Sequence, residues 1–209
     1  MTGAEDVDVT RDNIDVCVAS ANKCLHSFAG LVSVCVRRDV WQTIEGDKPR
    51  SYYLDLRRYR AFLRDRCQTP FTPAVNTMMA LNAALDELLE VGLVGRREHY
   101  RRLNDRIRRG LRSLGMDLVV DEERTSHSIT VVKVPDGMTY QEIYLGLKDR
   151  GFIVYESKGT MSGGYFQVAN MGALEEIHID EFLAAMGQVL AEARSGSLVT
   201  AAAGALRLV

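Results

Sequence analysis

The sequence predicts an α/β fold followed by a small α+β layer, on three observations. Two short, nearly continuous apolar runs rich in β-branched residues lie close together near the start, two long amphipathic stripes follow, and the remainder alternates strand, helix, strand, strand, helix. The first run, Ile14 to Ala19, stops at the polar group Ser20-Ala21-Asn22-Lys23 and reads as a strand entering a loop. The second, Leu31 to Val36, begins after Gly30 and closes on Arg37 and Arg38. Neighbouring strands without polar alternation predict a sheet covered on both faces.

The helices follow from period and caps. SYYLDLRRYRAFLRDR places Tyr53, Leu56, Tyr59 and Leu63 at near-helical spacing. Thr72 as N-cap and Pro73 at the first helical position open a longer helix, with Val75, Met78, Met79, Leu85, Leu88 and Leu89 on one face until Gly92. From Arg96 a further helix carries Tyr100, Leu103, Ile107, Leu111 and Leu114 on one stripe and ends at Gly115. Beyond it, Ser128 to Val134 reads as a strand, and Thr139 with Glu142 forms a capping box for a helix that Gly151 ends. Phe152 to Tyr155 and Tyr165 to Ala169 read as strands, and Phe182, Leu183, Met186, Val189 and Leu190 line a last helix. The predicted domains are 1–70, the two long helices 71–115, the small layer 116–194, and a tail 195–209 without clear periodicity.

Composition excludes whole classes of function. The 209 residues are 46% apolar and 26% charged, which excludes intrinsic disorder. Twenty-six basic against 28 acidic side chains leave a net charge of −2, so no global field draws the chain to nucleic acid or an acidic membrane. No apolar stretch is long enough for a membrane span, and the acidic N-terminus MTGAEDVDVTRDN is unlike a targeting peptide, which predicts a cytoplasmic protein. Cys17, Cys24, Cys35 and Cys67 form no CxxC pair and predict neither zinc nor a redox dithiol; Cys17 and Cys35 are expected to be buried hydrophobes. Arg96, Arg97, Arg101, Arg102, Arg106, Arg108, Arg109 and Arg112 lie off the apolar stripe and among acidic residues, so they read as a solvated face and not a nucleic-acid surface.

Lys23 is the first candidate for chemistry. It follows an apolar strand in a loop of small polar residues, where desolvation favours a neutral, nucleophilic amine of the kind Schiff-base chemistry uses. On position alone, a solvated loop lysine is the plainer reading.

The wording of the sequence adds a resemblance. VASANKCLHSFAGLVSVCVRR, SYYLDL, TPFTPAVNT, ALDELLEVG and GFIVYESKGTMSGGYFQVANMG occur in the order found in the class V aminotransferases of the fold type I pyridoxal phosphate (PLP) enzymes. Within that family the chain is most similar to the 2-aminoethylphosphonate:pyruvate and the alanine or serine:glyoxylate aminotransferases, with Asn-Lys-Cys and Val-Ala-Asn-Met-Gly tilting towards the phosphonate group. The resemblance implies the C-terminal part of a fold type I large domain plus a small α+β domain. It implies PLP as cofactor, a small amino donor and a 2-oxo acid as substrates, and a homodimer or a complementary N-terminal chain as partner. Lys23 would then be the Schiff-base lysine that also shuttles the proton. Asn22 would help hold the cofactor phosphate, with a plain turn residue as its alternative. Thr72 would donate its hydroxyl to the phosphate of the neighbouring subunit, with a plain N-cap as its alternative.

Two departures qualify the resemblance. Gln167 stands in Phe166-Gln167-Val168, where relatives carry an arginine that grips the substrate carboxylate. A neutral amide lacks the charge and the fork, which weakens carboxylate binding by about 1.5–3 kcal/mol. Lys158 and Arg150 are near in sequence but read as solvated. Only 22 residues precede Lys23, where relatives place a glycine-rich phosphate loop, a stacking aromatic and an aspartate for the pyridinium nitrogen; Asp6, Asp8 and Asp15 lack that context. The chain therefore looks N-terminally truncated, with sheet edges and apolar helix faces expected to lack partners. The rival reading is a non-catalytic truncated homologue acting as an assembly partner.

Overall fold

A computed structural model describes residues 3–196 and divides into two compact units that meet in sequence between Val91 and Gly92. The predicted tail falls almost wholly on residues 197–209, outside the described residues.

The first unit holds strands β1 (Val16–Ser20) and β2 (Val32–Val36), helices α1 (Trp41–Gly46) and α2 (Leu56–Arg66), and helix α3 (Val75–Ser113) as far as Val91. β1 and β2 pair antiparallel with Val16 opposite Val36 and Ser20 opposite Val32. Both apolar runs are strands, as their β-branched content predicts, but the expected burial is absent. Val18 is 64% and Val32 59% exposed, and Val16 and Val34 are exposed with them. Cys35 is exposed and Cys17 half-buried, so neither is the buried hydrophobe expected. Alternation puts Val16, Val18, Val32, Val34 and Val36 on one face of the ladder, and among the described residues that face is only partly covered.

α2 begins later than its period suggests, because the Asp55 carboxylate accepts from the Arg57 N–H at 3.1 Å and leaves Tyr53 outside the helix. Its last residue is followed by Cys67 at φ 51, whose N–H bonds back to the Leu63 carbonyl. α3 also starts late. The Val75 N–H donates to the Pro73 carbonyl, a tight turn that makes Ala74, not Thr72, the first to accept from within the helix, through Met78 N–H at 3.0 Å. Thr72 is therefore not the N-cap. On the α3 stripe Leu88 and Ala84 are buried, whereas Met79 and Leu89 are 67% and 78% exposed, with Val75, Met78 and Leu85 exposed beside them.

Gly92 interrupts α3 at φ 75, ψ 155, a conformation open to glycine and costly for other residues, and residues 93–113 continue as a helix of the second unit. Here the apolar stripe is fully inside: Tyr100, Leu103, Ile107 and Leu111 are at most 1% exposed. Gly115 at φ 80 ends the helix as predicted, with Met116 N–H donating to the Leu111 carbonyl at 3.0 Å.

The small layer keeps the predicted order of strand, helix, strand, strand, helix, but the strand expected at Phe152 to Tyr155 is reduced to Tyr155–Glu156, with Phe152, Ile153 and Val154 outside it. β3 (Ile129–Lys133), α4 (Tyr140–Lys148), β4 (Tyr155–Glu156), β5 (Tyr165–Ala169) and α5 (Glu176–Arg194) form an antiparallel sheet of order β3-β5-β4 with helices on one face. Both halves of the Thr139–Glu142 capping box are made. Thr130, Val132, Phe166 and Val168 point into a core closed by Ile143, Leu147, Phe182, Met186 and Val189. α3 and α5 approach so closely at Gly110 that a Cβ there would stand 2.2 Å from Leu183 Cδ1. Arg106 clamps the same pair, donating to Asp180 from Nε at 2.6 Å and from Nη2 at 2.7 Å.

A polar knot lies under this core. Asn170, fully buried, donates from Nδ2 to the carbonyls of His127 at 2.9 Å and Tyr100 at 3.3 Å, and Asn104 donates to Thr130 Oγ1 at 3.1 Å. The basic helix is a mostly paired face: Arg101 meets Glu98, Arg102 and Arg106 meet Glu176, and Arg112 meets Glu122. Two of its members depart from the solvated reading. Arg96 is buried, and Arg108, 1% exposed, donates to Thr125 Oγ1 at 3.0 Å and to the Val120 carbonyl at 2.7 Å. Burial holds the Arg108 guanidinium below the ordinary arginine value.

Candidate active site

The segment joining β1 to β2 is a turn held by its own backbone. Ala21 N–H donates to the Leu31 carbonyl at 3.1 Å, Ser27 N–H to the Ala21 carbonyl at 3.1 Å and His26 N–H to the Lys23 carbonyl at 3.0 Å. Ala21, Cys24 and Leu25 are buried, at 2%, 1% and 8% exposure. Gly3 packs so tightly beneath them that a Cβ on it would meet the Cys24 carbonyl oxygen at 3.0 Å. Between these anchors Asn22 and Lys23 project outwards, and both are exposed.

Lys23 is thus placed on a fixed turn, with no hydrogen bond or ion pair to its amine among the described residues. Of the two readings of its position, the described residues show the exposed loop lysine and not the desolvated one, beside strands that are themselves largely exposed. Ser27 escaped sequence reasoning. Its Oγ is buried within this turn without a hydrogen-bond partner, a position that periodicity does not reveal.

Thr72 is exposed, two residues before Ala74, in the segment that leads into α3. The start of α3 passes near the end of the lysine loop, since a Cβ on Gly30 would stand 3.7 Å from Thr77 Cγ2. Gln167 lies in the second unit, on the central strand β5 opposite Val131 and Tyr155. Alternation with buried Phe166 and Val168 turns its half-buried side chain to the face of the sheet away from the core. Arg150 is engaged with Gln188, the Gly146 carbonyl and Glu192, while Lys158 is exposed. The early aspartates have local tasks. Asp6 pairs with Arg11 and Asp15 with Arg37, and Asp8 accepts from the N–H groups of Thr10 and Arg11.

Among the described residues no group of three or more histidine, cysteine or acidic side chains is arranged to hold a metal ion. No helix among them is long and apolar enough to cross a membrane.

The fold and the lysine-bearing turn define a class that comparison with known proteins specifies. A crystal structure of ureidoglycine-glyoxylate aminotransferase from Bacillus subtilis superposes with a TM-score of 0.85 at 24% identity, covering 97% of this chain and 54% of the other. The described residues therefore carry an α/β fold of the fold type I kind, corresponding to its C-terminal part. The family model for aminotransferase class-V matches residues 1–171, a span that includes the lysine loop, and the chain belongs to that family.

Among curated proteins, an uncharacterized aminotransferase of Methanocaldococcus jannaschii is 32% identical over 192 residues, which are 91% of this chain and 50% of the relative. A 2-aminoethylphosphonate–pyruvate transaminase of Klebsiella pneumoniae is likewise 32% identical over 192 residues, 90% of this chain and 52% of the relative. The chain thus spans about half the length of the curated relatives it matches.

Proposed function

We propose that this chain serves a PLP-dependent aminotransferase in the cytoplasm, moving an amino group from a small donor such as 2-aminoethylphosphonate or alanine to a 2-oxo acid such as pyruvate or glyoxylate. The observation that carries the reading is Lys23, an unengaged amine on a turn pinned by buried Ala21 and Cys24, inside the stretch that matches the family. The residues present fit the amine side of a PLP site. Lys23 offers a nucleophile, and Asn22 an exposed amide beside it. The buried Ser27 Oγ is a polar group still wanting a partner.

When bound, PLP supplies the aldehyde that condenses with amines and the conjugated ring that accepts electrons from the substrate. Lys23 would hold it through Nζ, and the same amine would accept and then return a proton as base and acid. Asn22 donates an N–H to an anionic oxygen, and Thr72 donates its hydroxyl to a phosphate, in our reading that of a second copy. Gln167 offers a neutral amide to the substrate's anionic end. A partner that buries the valine face of β1–β2 and the exposed stripe on α3 would also exclude water from Lys23, which the chain does not do by itself. We assign this role to a second copy of the chain or to a complementary chain carrying the N-terminal part of the fold, and treat residues 1–70, 71–115 and 116–194 as its cofactor, linking and small domains.

Titration with PLP tests the reading. The protein is expected to develop the visible absorption of a protonated Schiff base, and Lys23→Ala to lose it. Equal spectra for both proteins would discard Lys23 as the anchor. Gln167 favours a second reading, a non-catalytic homologue that uses the family fold as an assembly partner. It predicts no transamination with either donor in a folded preparation.

A further inference from the structure

The register of β1 and β2 sets two thiols against each other. Cys17 lies directly opposite Cys35 in the antiparallel ladder, so both side chains leave the same face, opposite the valine face. Their pair type follows from the ends of the ladder. Arg37 N–H donates to the Asp15 carbonyl and Ala21 N–H to the Leu31 carbonyl, which makes 15/37 and 21/31 hydrogen-bonded pairs. Steps of two residues put 17/35 in the same class. Such pairs stand about 5.5 Å apart from Cα to Cα, within the span a disulfide bridges. Their Cβ atoms are farther apart than a relaxed disulfide prefers, so a bridge here is strained and easily reduced.

Access is also provided. Cys35 is exposed and lines an open cavity of about 420 Å³ with Val9, Thr10, Asn13, Ile14, Val36 and Arg37, while Cys17 is half-buried. The other two thiols lie outside the paired strands: Cys24 is buried in the lysine turn, and Cys67 is exposed at the end of α2.

We propose that Cys17 and Cys35 are a cross-strand dithiol that hydrogen peroxide oxidises reversibly to a disulfide. The Cys35 thiolate attacks one peroxide oxygen, the O–O bond breaks, and water leaves after protonation, giving a sulfenic acid. The Cys17 thiolate then attacks that sulfur, the S–O bond breaks and a second water leaves as the S–S bond forms. The balance is two thiols and one peroxide to one disulfide and two waters, each sulfur giving up one electron. The bond would close the loop that contains Lys23 and fix the two strands that carry it.

The test is peroxide treatment of the full chain, alkylation of remaining thiols, proteolysis without reduction, and mass spectrometry. The expected product is one intramolecular link between the peptides of Cys17 and Cys35, two hydrogens lighter than their sum, which reduced glutathione reverses. Cys67→Ser is expected to leave its yield at the wild-type level, and Cys17→Ser to replace it by a Cys35 sulfenic acid that dimedone captures. Irreversible oxidation of Cys35 with Cys17 still open to alkylation would overturn the proposal. So would links formed only between copies through Cys67. The unaltered chain carries the decisive map, so poor folding of a variant leaves the test intact.

Discussion

Two glycine-to-alanine substitutions with the same chemistry are expected to change stability in opposite directions. Gly146 lies in α4 and Gly187 in α5, each in a helix interior where alanine is favoured by about 1 kcal/mol. Space decides the outcome. A Cβ on Gly146 would stand 2.9 Å from Val189 Cγ2 and 3.1 Å from Cγ1, whereas on Gly187 the nearest atom is Leu114 Cδ2 at 3.4 Å. Val189 is fully buried and, being β-branched in a helix, has essentially one rotamer, so it cannot step aside. Overpacking of this kind costs about 1–3 kcal/mol, leaving Gly146→Ala neutral to about 2 kcal/mol less stable. Leu114 ends on a flexible side chain at ordinary contact, leaving Gly187→Ala about 0.5–1 kcal/mol more stable. Trp41, the sole tryptophan, belongs to the first unit, so fluorescence would read the wrong part of the chain. Hydrogen exchange of the α4 and α5 amides reads the second unit directly. Equal protection gains in both variants would refute the α4–α5 packing described here.

Other outcomes follow from the same geometry. Asn170→Ala strips hydrogen bonds from the carbonyls of Tyr100 and His127 inside the core and should cost the second unit about 2–4 kcal/mol, measured by the same exchange. Arg106 donates to Asp180 and holds its carboxyl below the ordinary aspartate value of 3.8. A depressed folded value means that this stabilisation is present above 3.8 and lost as pH falls through the lower folded value. Asp180→Asn should therefore flatten the acid limb of stability against pH, and an unchanged limb would contradict the pairing. Gln167→Arg restores charge and fork, so a carboxylate inhibitor should bind about 10- to 100-fold more tightly, from about 1.5–3 kcal/mol, by calorimetry. No gain would remove Gln167 from the substrate's anionic end.

What was legible in the sequence was local. The Thr139–Glu142 box spans one helical turn and the stripe Tyr100–Leu103–Ile107–Leu111 about three at 3.6 residues per turn, and their burial and bonding follow from spacing alone. The six-residue helix Trp41–Gly46 escaped because it has no side-chain cap and too few residues for a period to appear. Thr72 lost its cap role to a turn at Pro73, which depends on one backbone bond. The valine runs were legible as strands, but their burial was not, because burial depends on a covering surface that the described residues do not supply. At the candidate site the motif singled out Lys23, and its position alone favoured the solvated loop lysine that its exposure shows. The opposition of Cys17 and Cys35 was hidden for a related reason: it is fixed by register, which the strand sequences leave open until the ladder ends at Asp15–Arg37 and Ala21–Leu31 are known.

The most direct measurement is reductive trapping: the folded chain is incubated with PLP, reduced with borohydride, digested and mapped. The account predicts a pyridoxyl group on Lys23, in preference to Lys48, Lys133, Lys148 and Lys158. Uniform labelling of the exposed lysines, or none at position 23, would contradict it.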